Sequence, residues 1–291
     1  MESAGGVHTG DIRIYELKKT NLRGATVIDG FPSIGLVSSI VANYLVNALE
    51  LEQIGIMDSN FFPSISLIRK AQPLNTVRIY ASDRVTGHDQ DEVDQIVVFI
   101  SEFQPPPNLI RPIASAILDW IQEQRCSMLI SPEGLVIERG DEEGGEGGEG
   151  ENPPGATMSA EDMGANNSEN RSVELFGVGS TDSARKLLED HHINLFQEGV
   201  ITGVAGVLLN EGKRRDFNVI SLLAEAHSNY PDARAAAKII EVLDRLVLNI
   251  HIDPKPLYKE AEQIELQIKS IRSQAKTSKV LKAPPQPRMY G

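Results

Sequence analysis

The chain has one cysteine, Cys126, in 291 residues, so neither an internal disulfide nor a cysteine-cluster metal site can form. It follows Arg125 at the edge of an apolar stretch, where a buried, inert thiol is expected rather than a nucleophile. Long apolar runs are also missing: no stretch approaches the roughly eighteen residues of a membrane-spanning helix. Met1 to Asp11 lack the charged and apolar regions of a secretory leader, so a cytoplasmic protein with no membrane partner is expected. Basic residues are absent between Gly140 and Asn170, where nine acids fall. Subtracting those nine from the formal charge of −13 leaves −4, so the acidity is local and does not mark the rest as a binder of basic partners.

Hydrophobic residues make up 41% of the chain, enough for a real core. The stretch Val27 to Val46 organises it. Ala25 to Asp29 reads as a buried β-branched strand, and Gly30 to Gly35 as a turn. From Ser33 a helical face follows through Ile34, Val37, Val41, Leu45 and Leu49, with Leu36 and Ile40 widening the buried surface. That turn could cradle a phosphate at a helix N-terminus. It holds neither G-x-G-x-x-G nor G-x-x-x-x-G-K-[ST] and no lysine or arginine, so a tight structural turn is the better reading.

Further strands are expected at Asp11–Leu17, Glu52–Met57, Ile65–Ile68, Val77–Tyr80, Gln95–Ile100, Met128–Ile130, Val173–Val178 and Phe217–Ala224. Helices are expected over Ile110–Gln124, Ala184–Leu188, Glu198–Leu209 and from Pro231-Asp232 onward. Their alternation indicates an α/β fold with a central mixed sheet flanked by helices. His88, Asp89, Asp91, Glu92 and Asp94 lack the glycine and terminal glutamate of a calcium loop, so a solvated tip is expected and no metal. His191 and His192 are adjacent and do not converge on one ion.

Residues 138–170, rich in glycine and glutamate, cannot offset their ordering entropy and read as a disordered insertion in a surface loop. After Asp253-Pro-Lys-Pro256 a C-terminal helix to residue 276 places Leu257, Ala261, Ile264, Ile268 and Ile271 on one seam. That seam either packs on the domain or pairs subunits. Residues 277–291 read as a flexible, basic, proline-rich tail without the interleaved aromatics of a nucleic-acid binder, so no nucleic acid is expected.

Several short stretches resemble the archaeal proteasome assembly chaperone family. They are Asp29-Gly-Phe-Pro-Ser-Ile-Gly-Leu-Val37, Phe61-Phe-Pro63, Ser131-Pro-Glu-Gly134, Gly203-Val-Ala-Gly-Val-Leu-Leu209 and Tyr230-Pro-Asp232. They run in the family's order within residues 11–252. The resemblance implies a chaperone-family domain there, a homo-oligomer, and proteasome core particle subunits as partners. The chain ends Met289-Tyr290-Gly291, similar to the hydrophobic–tyrosine–X terminus with which proteasome partners dock. These three residues are the expected partner-binding site: a terminal carboxylate pairs with a pocket lysine while the ring and the apolar residue fill the pocket. The competing class is an α/β enzyme of nucleoside phosphorylase-like or ATP-dependent ligase type. No nucleophile–base pair, nucleotide loop or metal cluster can be named for it, so neither catalysis nor a cofactor is expected.

Overall fold

The computed structural model describes residues 8–9, 12–82, 95–136, 173–248, 252–259 and 261. Its centre is the strand expected first. Thr26–Gly30 (β3) is buried along its whole length, as a β-branched strand covered on both faces must be. It pairs in parallel with Ile96–Ser101 (β8) on one side and Met128–Leu135 (β9) on the other. Val219–Glu225 (β12) extends the parallel core beyond β9.

Antiparallel strands complete one flank: Val77–Ala81 (β7), Glu52–Ser59 (β4), Ile12–Glu16 (β2) and His8–Thr9 (β1). On the other flank Leu175–Gly179 (β10) runs antiparallel to β12, and Asn194–Leu195 (β11) lies parallel to β10. The result is a mixed sheet of ten strands. Two cores cover its faces. On one, Pro107–Glu123 (α2) and Gly203–Arg215 (α4) pack over Val27, Val97, Phe99 and Leu129. On the other, Val37–Ala48 (α1), Asp182–Asp190 (α3) and Ala233–Leu243 (α5) pack over Ile28, Val98, Ile130 and Leu222. Among the described residues no helix is long and apolar enough to cross a membrane.

Several expectations shift. Leu36 does not widen a buried face; with Ile34 it is exposed, because Gly35 and Leu36 adopt positive φ of 61° and 52° and a tight turn (34–36) precedes α1. Ile65 to Ile68 add no strand to the main sheet: Leu67–Arg69 (β5) pairs only with Gln72–Leu74 (β6), and Ile65 and Ile68 stay exposed. The strand from Met128 continues through Ser131-Pro-Glu-Gly134 to Leu135. The helix expected from Glu198 starts at Gly203. At the C-terminal seam, Leu257 and Ala261 are buried, Leu257 in the α1/α5 core, so this part packs within one chain. Ile264, Ile268 and Ile271 lie outside the described residues, as do residues 83–94 and 138–170.

Candidate functional site

The five motifs, at residues 29–37, 61–63, 131–134, 203–209 and 230–232, can be placed on the structure, and three of them meet at one edge. Parallel strands β3 and β9 remain paired up to Ile28 and Ile130. Beyond that point the ladder between them stops and side chains fill the fork. On the other side of β3 the connections leave in opposite directions: α1 follows β3 onto one face and α2 follows its neighbour β8 onto the other, so the divergence lies between β3 and β8, one strand from this fork. A crevice outside the carboxyl ends of parallel strands at such a divergence is the usual ligand position of α/β sheets.

Asp29 stands at the fork, 1% exposed. Its Oδ1 accepts from the Phe31 amide at 3.1 Å, and its Oδ2 accepts from the Ser131 hydroxyl at 2.8 Å. Two residues along β9, Glu133 brings Oε1 to 3.3 Å from the same hydroxyl. Burial pushes the Asp29 carboxyl up to about 6, against the two hydrogen bonds that favour its charge. Burial also raises Glu133 well above the usual carboxylate range, and the Asp29 charge adds to it. On the far side of β9, Ser221 Oγ donates to the Ser131 carbonyl at 3.3 Å.

The opposite face of the edge is closed by backbone. A Cβ at Gly134 would stand 2.2 Å from the Ile34 carbonyl oxygen, so only glycine permits this approach. Ser38 Oγ, at the start of α1, donates to the Pro132 carbonyl at 2.5 Å. Gly35 accepts from the Asp232 amide at 2.8 Å, which ties the turn to α5. Asp232 caps α5 through Ala235 N at 2.9 Å, and its Oδ2 lies 2.7 Å from His227 Nδ1. The His227 ring stacks on Tyr230, with centroids 4.6 Å apart. Thus Asp29–Val37, Ser131–Gly134 and Tyr230–Asp232 form one contiguous edge, although each alone reads as a turn or a strand end.

The other two motifs sit elsewhere. Phe62 is buried edge-on against Phe103, with centroids 5.0 Å apart. Gly203–Leu209 forms the first half of α4. Met289, Tyr290 and Gly291 lie outside the described residues. Cys126 is buried as expected, and burial pushes its thiol up to about 12, so it stays protonated. Among the described residues no three histidine, cysteine, aspartate or glutamate side chains gather as metal ligands would.

The Asp29–Ser131–Glu133 arrangement escaped the sequence reading because its members lie 102 residues apart across the fork. A signal was present: an aspartate near the end of a fully buried, β-branched strand has to find a buried partner.

The comparisons agree with this fold. The chain is 28% identical to Pyrococcus furiosus PbaA, described as an archaeal homolog of proteasome-assembly chaperone; the match covers 93% of this chain and 95% of that one, with a TM-score of 0.70. It shares its fold with Pyrococcus furiosus PbaB, described as an archaeal proteasome activator, at 21% identity and a TM-score of 0.69, over 90% and 99% of the two chains. An uncharacterised protein of Methanocaldococcus jannaschii is 25% identical over 265 residues, 90% of this chain and 92% of the relative. The PAC2 family profile matches residues 27–272, and the chain belongs to the PAC2 family.

Proposed function

We propose that this protein is a non-enzymatic partner of the proteasome core particle, acting as an assembly chaperone or an activator-like protein. The observation that supports the reading is the likeness to PbaA, 28% identical over nearly the full length of both chains. In this reading residues 11–252 form the body of a homo-oligomer, interrupted by the insertion 138–170. Residues 253–276 form a C-terminal helix whose start is held on the body, with Tyr44 Oη donating to the Asp253 carbonyl at 2.5 Å and Tyr258 Oη to Glu241 at 2.8 Å. Residues 277–291 are the docking tail, and Met289, Tyr290 and Gly291 are its contacts. Its lysines and arginines speed encounter with an acidic ring face without setting specificity. The burial of Ser131 and its hydrogen bonds, which among the described residues involve carboxyl groups and no histidine, favour a structural over a nucleophilic role for that hydroxyl.

The test is surface plasmon resonance on immobilised core particle, with intact protein, Tyr290→Ala and a form carrying one residue after Gly291. Both changes should weaken docking, by about 2–4 kcal/mol per tail, the range of a hot spot with a charge-assisted pair. In an oligomer the lost avidity exceeds the single-tail effect. Equal binding by all three forms removes the tail from the mechanism. Absence of binding by the intact protein removes the core particle as partner.

A further inference from the structure

The fork between β3 and β9 contains two carboxyl groups and a single hydroxyl. A serine hydroxyl has one proton to donate, while an ionised carboxylate can only accept. Ser131 Oγ lies 2.8 Å from Asp29 Oδ2 and 3.3 Å from Glu133 Oε1. If both carboxyls were ionised, one would face a lone pair with no proton between. The shorter contact assigns the Ser131 proton to Asp29.

We propose that Glu133 carries a proton at neutral pH and donates it to Ser131, so that Glu133, Ser131 and Asp29 form a chain of two hydrogen bonds holding the carboxyl ends of β3 and β9 together. The chain stands where backbone pairing has ended, one residue past Ile28 and Ile130. On the opposite face of the same edge the Ile34 carbonyl packs against Gly134, and Ile34, Leu36 and Val136 are each more than 40% exposed. Losing the proton places two negative charges on one hydroxyl and pushes the two strand ends apart, displacing the turn 31–36 that begins at the amide bonded to Asp29.

Among the described residues, the surrounding charges do not supply the missing cation. On this face of the sheet β8 contributes Ser101 and β12 contributes Ser221, Leu223 and, at its end, Glu225. From the helices, Arg111 pairs with Glu211 at 3.6 Å and Arg215 with Asp119 at 2.6 Å, while Arg214 also binds Glu211. The raised affinity of both carboxyls for protons has the same direction, with Asp29 the one that ionises first.

The test is a carbon-13 NMR titration of the full chain labelled at glutamate side-chain carboxyls. The Glu133 signal, identified by its loss in Glu133→Gln, should sit at the protonated position at pH 7, where exposed glutamates have already titrated. In Asp29→Asn it should titrate at lower pH, since the neighbouring charge is gone. A Glu133 signal titrating with the exposed glutamates overturns the proposal. Should Glu133→Gln fail to fold, infrared spectra of the wild type and Ser131→Ala decide. A protonated-carboxyl stretch present at pH 7, and moved by the loss of the hydroxyl, supports the chain; no such band overturns it.

Discussion

Gly30 closes β3 where a side chain has no room. A Cβ there would stand 2.3 Å from the Phe99 carbonyl oxygen and 2.4 Å from the Ala42 methyl. The first is backbone of a central strand and cannot rotate away. Gly30→Ala should therefore cost about 1–3 kcal/mol or more, the usual loss from overpacking, read as a lower urea midpoint with unchanged slope. Its neighbour Asp29 offers a different residue-scale test. Folding raises its pKa from 3.8 to about 6, so the native state binds the proton more tightly than the unfolded chain. Its contribution is present in full below pH 3.8 and is lost as pH rises through about 6, a decline worth about 3 kcal/mol. Asn at this position keeps an oxygen for the Phe31 amide and titrates nowhere. Asp29→Asn should flatten the stability–pH curve between pH 4 and 6, measured by urea unfolding at each pH. An unchanged slope would show that Asp29 is not the group that titrates.

At the scale of elements, the regular strands and helices were legible because each has one period. Ile96–Ser101 is apolar at almost every position and is buried at every position. Thr181 and Asp232 cap α3 and α5 where the sequence has Ser-Thr-Asp and Pro-Asp. What stayed illegible depends on backbone that periodicity cannot see. Leu36 has the spacing of a buried helical residue, yet its left-handed φ turns it outward. Ile68 reads as strand and is strand, but in a hairpin apart from the main sheet.

Arg78 is the clearest case of a hidden partner. It occupies an otherwise apolar strand, is fully buried, and contacts Glu102 at 2.5 Å, the Asn75 carbonyl at 2.7 Å and Tyr80 Oη at 3.0 Å. Arg69, on the hairpin, reaches the same Glu102 oxygen at 3.2 Å, so this carboxylate ties β5 to the sheet. Glu102→Ala leaves the buried guanidinium without its counter-charge and should cost about 3–5 kcal/mol. Replacing both partners, Arg78→Met with Glu102→Leu, removes both charges and should cost clearly less. A double variant as unstable as the single would mean that packing, not pairing, sets the loss.

For the whole molecule, the position of the strand ends predicts what residues 138–170 contribute to stability. Leu135, the last residue of β9, is level with Glu225 of β12. Leu175, the first residue of β10, is level with Ala224 of the same strand. The chain therefore leaves and re-enters the sheet at one edge, with only β12 between, a gap of about 10 Å at the usual strand spacing. A linker of about six residues spans that distance with slack. Replacing the 33 residues of the segment with such a Gly/Ser linker should leave the fold intact. For a loop that makes no contacts with the body, shortening by this factor lowers the closure entropy by about 1.5 kcal/mol. The expected result is a melting temperature unchanged or raised by a few degrees, about 2–4 °C per kcal/mol for a chain of this size. The segment carries ten acids and one arginine, so its removal would bring the formal charge from −13 to −4, which should make the shortened protein less soluble near neutral pH. Calorimetry of both forms decides it: a fall of many degrees would show that the segment packs against the body and belongs to its core.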